Sequence, residues 1–189
     1  MCTSSDSGAS WMQTGLPESV VYQAVALSGT GQFMYACENV GGLYLSWDFG
    51  ATWQKSSTSQ YLFYDMDTDE TGQYVITADG KYTLTSFDYG VSFNRSEIPM
   101  IASKVAASDT LGQYAVVAGS SDITITSNYG YNWTKTGPYG QWTGVTSDAT
   151  GKYMVGVEYY SSHQDGCIYA SSDFGATWTL SELNDIESI

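Results

Sequence analysis

The sequence predicts an all-β fold built from repeated, four-stranded antiparallel units of about 40 residues, with essentially no helix. Three observations carry this. A motif of the form S/T-x-D/N-x-G-x-x-W/F recurs five times along the 189 residues. A second marker, a Gly followed by Gln or Lys and an aromatic ring, recurs at the same period. No stretch of about ten residues carries the 3.6-residue apolar spacing of an amphipathic helix, whereas short alternating runs bounded by Gly, Asp and Asn are frequent.

The five copies of the motif run from Ser4 to Trp11, Ser46 to Trp53, Ser86 to Phe93, Thr126 to Trp133 and Ser171 to Trp178. Measured at Asp6, Asp48, Asp88, Asn128 and Asp173, they lie 42, 40, 40 and 45 residues apart. The glycines of the second marker, Gly31, Gly72, Gly112 and Gly151, lie 41, 40 and 39 apart. Two independent markers at one period define a repeat. Units are expected at 1–15 (partial), 16–57, 58–97, 98–137 and 138–182. Within 58–97, Leu62 to Thr68, Gln73 to Ala78, Lys81 to Ser86 and Val91 to Ser96 read as four successive strands, with Asp79-Gly80 as a hairpin turn. Four antiparallel strands per 40 residues is the size of one β-propeller blade, so the chain is expected to be a single propeller domain or propeller segment of four complete blades plus a partial one. The leading unit lacks inner strands, and open blade edges of this kind favour self-association.

The motif has a mechanical reading. Its Asp (Asp6, Asp48, Asp88, Asp173) or Asn (Asn128) can accept hydrogen bonds from backbone N–H groups of its own turn. Its Gly (Gly8, Gly50, Gly90, Gly130, Gly175) supplies the positive φ that reverses the chain. Its aromatic (Trp11, Trp53, Phe93, Trp133, Trp178) anchors the next strand. Asn in place of Asp preserves a turn but not a catalytic carboxylate. These segments resemble Asp-boxes, the BNR repeats of sialidases, sortilin-type receptors, xyloglucanases and propeller-type photosystem II assembly factors. The resemblance spans nearly the whole chain; it is specific for fold and unspecific for function.

The sialidase resemblance implies three arginines clamping a substrate carboxylate, yet the chain contains one, Arg95. Sialidase chemistry within these residues is excluded. A xyloglucanase-like site needs a pair of carboxylates across a cleft. Asp69, Asp109 and Asp148 share one turn position with Ser28 and read as turn formers, whereas Asp65 and Asp67 replace Ala24 and Ala26, Val105 and Ala107, or Gly144 and Thr146 of the other units. Alternation places Asp65 and Asp67 on one face of an innermost strand, facing a water-filled channel or forming a ligand or cation site.

Aromatics at the start of that strand, Tyr22, Phe63 and Trp142 (Ser103 in the remaining unit), are core residues or a ring of stacking faces for sugars. The last unit carries an insertion, with 22 residues from Gly151 to Asp173 against 16 or 17 elsewhere. Its loop displays Tyr159, Tyr160 and His163, and inserted loops on rigid scaffolds are where binding resides.

Composition narrows the partners. A net charge of −14 repels phosphate backbones and anionic membrane surfaces, so no nucleic acid and no membrane insertion are expected. Cys2, Cys37 and Cys167 have no metal-like spacing and read as small buried hydrophobes; with one histidine, no metal site and no cofactor are expected. The first eleven residues show neither a basic nor an apolar leader region. Few Lys and many Tyr, Ser, Thr and Gly suit an extracellular or surface setting, and sequons occur at Asn94 and Asn132. The expected role is a non-catalytic binding or scaffold module for a protein or glycan. The alternatives are a fragment of a glycoside hydrolase whose catalytic parts lie elsewhere, and a structural component of a surface assembly.

Overall fold

The computed structural model describes residues 1–39, 41–57, 61–108, 112–159 and 167–181, with backbone alone for 99–108. Among these residues no helix occurs. A leading hairpin, β1 (Cys2–Thr3) and β2 (Met12–Gln13), is followed by four blades. Blade I is β3 (Tyr22–Leu27), β4 (Met34–Glu38), β5 (Leu43–Ser46) and β6 (Gln54–Lys55). Blade II is β7 (Asp65–Thr68), β8 (Val75–Ala78), β9 (Gly80–Ser86) and the start of β10 (Asn94–Ser108). Blade III is the rest of β10 with β11 (Tyr114–Gly119), β12 (Ile123–Thr126) and β13 (Thr134–Lys135). Blade IV is β14 (Trp142–Ser147), β15 (Met154–Glu158), β16 (Cys167–Ser171) and β17 (Thr179–Leu180). All pairings are antiparallel, and the first strand of each blade lies against the first strand of the next.

The sequence pattern anticipates separate blades, but β10 runs through the junction of II and III. Asn94 to Glu97 pair with β9, and Ala102 to Ser108 pair with β11, with the register broken between Glu97 and Ala102. Blades II and III thereby form one seven-stranded sheet.

Period-2 alternation gives each sheet two apolar faces, and these pack blade on blade. Tyr35, Cys37, Leu43 and Leu45 of blade I meet Phe63, Met66, Val75 and Leu84 of blade II. Tyr74, Ile76 and Ala78 of II meet Ile98, Ala115 and Val117 of III. Val116, Ala118 and Ile123 of III meet Trp142 and Met154 of IV. A hydrogen bond crosses the first of these interfaces, from the buried Tyr35 hydroxyl to the Gly72 carbonyl at 2.5 Å.

The boxes all close the same way between third and fourth strands. In blade I the Ser46 hydroxyl donates to Asp48 at 2.9 Å and accepts from the Gly50 N–H at 2.9 Å. Asp48 then accepts from the Thr52 N–H at 2.8 Å and its hydroxyl at 2.5 Å. Asp6, Asp88 and Asp173 repeat the pattern with Ser10, Ser92 and Thr177, and Asn128 accepts from the Asn132 N–H at 2.9 Å. The donors hold these carboxyls below the usual range: the Ser10 hydroxyl and N–H bring Asp6 down to about 2. Two successive residues, not one, adopt positive φ, as with Phe49 at 60° and Gly50 at 81°.

Box aromatics fill the interface with the preceding blade. Phe93, Trp133 and Trp178 do so, whereas Trp53 packs with Leu16, Ala36 and Tyr44 of its own unit, and Trp53, Trp133 and Trp178 each donate an indole N–H to the box glycine carbonyl. Trp11 departs from its expected anchoring role and is 65% exposed, because no blade precedes its hairpin among the described residues.

Candidate binding surface

The strand 2–3 turns and the starts of the first strands share one rim of the blades, and most residues singled out from sequence converge there. Not all reach solvent. Phe63 and Trp142 are 1% and 4% exposed, so of the two expected roles they take the core one and are not open stacking faces. Phe63 is wedged between blades I and II, with its ring edge-on to Tyr61. Trp142 lies edge-on to Tyr169 in the III–IV interface, over Gly156, where a Cβ would stand 2.9 Å from the indole. Burying such large rings between sheets outweighs exposing them. Tyr159 is 65% exposed, held by its N–H on the Gln141 carbonyl. Tyr160 and His163 lie outside the described residues, as does Asp109; Ser103 is described in backbone only.

Asp65 and Asp67 share one face of β7 and are half-buried. Each accepts a hydrogen bond from the next N–H, Met66 at 3.1 Å and Thr68 at 2.9 Å. The turn-forming reading holds for Asp69 and Asp148, which accept from the N–H groups of Tyr74 and Tyr153, while the Ser28 hydroxyl serves Phe33. Burial raises the Asp69 carboxyl despite those bonds. Of the cysteines only Cys37 is fully buried, and burial pushes its thiol up to about 11; Cys2 is exposed.

One cluster was not singled out from sequence. The Arg95 guanidinium lies 3.3 Å from the Tyr82 ring centroid and 5.7 Å from that of Tyr61. Strand pairing produces this, since β10 sets Arg95 opposite Leu84 and Glu97 opposite Tyr82. Leu62 and Tyr64, 48% and 39% exposed, flank the same blade end, where Tyr64 is fixed by its N–H on the Ala78 carbonyl. Burial raises the neighbouring Asp79 carboxyl, while the Tyr82 N–H and the Arg95 charge oppose the rise. The available signal was a lone arginine in the strand that follows one carrying a single tyrosine, and only the register reveals the stack.

No known protein family and no curated protein sequence matches the chain. Solved structures do. A GH74 enzyme of Niastella koreensis superposes with a TM-score of 0.75 at 21% identity, over 94% of this chain and 28% of that one. A GH74 xyloglucanase of Xanthomonas campestris gives 0.71 at 16%, over 92% and 32%. YCF48 of Cyanidioschyzon merolae gives 0.66 at 18%, over 91% and 59%. The fold is a β-propeller of box-turn blades. The chain spans about a third or less of the GH74 enzymes and somewhat more than half of YCF48. Among the described residues no helix is long and apolar enough to cross a membrane.

Proposed function

We propose that this chain is a non-catalytic binding or scaffold module whose strand 2–3 rim recognises a protein or glycan partner. The Arg95–Tyr82 stack carries the reading. Neither side chain is needed to close a blade, yet the pair presents a rigid cationic and aromatic surface beside exposed Leu62 and Tyr64. Arg and Tyr are the residues over-represented where interfaces concentrate their energy. The structural neighbours support a propeller scaffold and carry no activity across at these identities. The test is a binding screen on glycan arrays and by cross-linking, repeated with Arg95→Ala and Tyr82→Ala. Any specific ligand of this rim loses at least about tenfold in affinity in both variants; unchanged binding in both removes the rim from consideration.

A second reading, part of a glycoside hydrolase, is favoured by the GH74 likeness together with the Asp65–Asp67 pair on one strand face. Since its other catalytic parts would lie outside these residues, it requires that a polypeptide joining this chain to those parts release reducing ends from xyloglucan and lose that activity in Asp65→Asn. Activity unchanged in Asp65→Asn leaves the binding reading standing.

A further inference from the structure

On the rim that carries the boxes, successive blades are clasped by pairs of aromatic rings. Phe33 of blade I packs on Tyr89 of the blade II box, with centroids 4.5 Å apart and planes at 31°. Tyr114 of blade III packs on Phe174 of the blade IV box at 4.7 Å and 32°. In each pair the first ring follows a strand 1–2 turn, the second precedes a box glycine, and the two close directly on one another.

The junction of blades II and III uses the same two positions and stays open. Tyr74 and Tyr129 stand 6.5 Å apart at 68°. A third ring holds them off: Phe87, the second residue of the blade II box, lies 5.5 Å from Tyr74 at 57° and 6.1 Å from Tyr129 at 61°. The other blades lack this wedge. Ser127 and Ser172 occupy the position in blades III and IV, and Trp47 of blade I lines a different cavity with Gln54 and Val91. Tyr131, 66% exposed, lies parallel to Phe87 at 5.8 Å and 14° and braces it. Its counterparts are Ala51, Val91 and Ala176.

Three rings at these steep angles wall a corner. The cavity there measures about 220 Å³ and is lined by Tyr74, Phe87 and Tyr129 with Asp69, Thr71 and Gln73. Asp69 is 4% exposed, and its oxygens accept from the Tyr74 N–H at 3.1 Å and the Thr71 hydroxyl at 2.7 Å. The Gln73 amide donates to the Phe87 carbonyl at 3.1 Å. The wall thus offers π-faces and a carboxylate charge, while its polar side chains are engaged with one another. A sugar ring needs one flat open face with free hydrogen-bonding groups beside it. A corner of this kind suits a compact, rounded cation that needs no hydrogen bond. Four heavy atoms of about water size occupy on the order of 120 Å³, which the cavity accommodates.

We propose that this cavity is an aromatic cage for a trimethylated ammonium group, presented on a lysine side chain of a partner polypeptide. Trimethylation removes the N–H donors and spreads the charge over methyl groups. These rest on the faces of Tyr74, Phe87 and Tyr129, and Asp69 supplies the countercharge. A chain of net charge −14 attracts the basic segment around such a lysine and repels the phosphate that accompanies choline in a lipid headgroup. The cage lies on the opposite rim from the Arg95–Tyr82 stack, and neither proposal depends on the other.

The test titrates the full chain into a short fluorescein-labelled basic peptide with one central lysine, unmodified or trimethylated, and follows anisotropy. The trimethylated form is expected to bind about fivefold tighter or more. Choline displaces it, and dimethylbutanol, the uncharged carbon isostere of choline, does not at the same concentration. Phe87→Ser and Asp69→Ser introduce the residue type that the repeat already carries at those positions, as Ser127 and Ser28, so both keep the fold, which melting by circular dichroism checks. Each lowers the preference for the trimethylated form by about threefold or more. Equal affinity for the two peptides, equal displacement by choline and its isostere, or a preference unchanged in either variant overturns the proposal. So does tighter binding to phosphatidylcholine vesicles than to the trimethylated peptide, because the cage then belongs to a lipid headgroup.

Discussion

Replacing Gly72 by Ala tests the clasp between blades I and II against an internal control, Gly31→Ala. Both glycines sit in the same strand 1–2 turn with nearly equal φ, 79° and 74°. Both substitutions therefore carry the same left-handed backbone penalty, about 1–2 kcal/mol. Their surroundings differ. The new methyl at 72 would lie 2.7 Å from the Cβ of Phe33, and a Cβ moves only with its backbone, so no rotamer change relieves the overlap. Overpacking of that sort adds about 1–3 kcal/mol. At 31 the nearest atom is 4.0 Å away, and no crowding follows. Gly72→Ala is thus expected to destabilise by about 2–5 kcal/mol and Gly31→Ala by about 1–2. For a chain of this size the first lowers Tm by roughly 5–15 °C. Urea unfolding followed by tryptophan fluorescence, with melting by circular dichroism, measures both. Equal losses in the two variants would refute the claim that Phe33 is pressed onto the Gly72 turn.

Three further outcomes follow from the geometry. Tyr35→Phe removes the hydroxyl that satisfies the Gly72 carbonyl and should cost about 1–3 kcal/mol in denaturant unfolding; an unchanged midpoint would show that the bond contributes nothing. Phe63→Ala and Trp142→Ala should each cost about 3–5 kcal/mol, against about 0.5 or less for the exposed Tyr159→Ala, and the reverse ranking would return the two rings to the surface. The folded Asp6 carboxyl is depressed to about 2, so its stabilising contribution is complete above the ordinary carboxylate range and is lost as pH falls through about 2. Carboxyl-carbon NMR titration should place its midpoint there, and a midpoint near the usual value of about 4 would mean the Ser10 and Ser4 bonds do not persist in solution.

The repeat was legible because the box writes its hydrogen bonds in adjacent residues. Asp48, Gly50 and Trp53 all act within one turn, so their roles follow from spacing alone. The part played by Ser46, which ties Asp48 to the Gly50 N–H, is visible in the motif only once the turn is built. Blade number and the four-strand order were equally readable. What sequence could not place was anything decided between blades. Phe63 and Trp142 look alike as surface stackers or as core until the neighbouring sheet is laid over them. The fusion of blades II and III through β10 depends on Ala102 pairing both with Gly80 of β9 and with Gly119 of β11. The Arg95–Tyr82 stack joins residues 13 positions apart that only strand register brings together.

The one-sided reach of each blade also governs how the chain folds. Hydrogen bonds that cross blades include those from Tyr35 to Gly72, Ser96 to Gly130, Trp178 to Thr136 and the Gly29 N–H to the Glu70 carbonyl, spanning 37, 34, 42 and 41 residues. None of these links a blade to any but its neighbour. Such a chain behaves as a one-dimensional zipper: ordering can nucleate at any adjacent pair and spread outward, and the terminal units open first. Hydrogen exchange should accordingly be slowest in β8 and β11, which are sandwiched on both faces, and fastest in β1, β2 and β17.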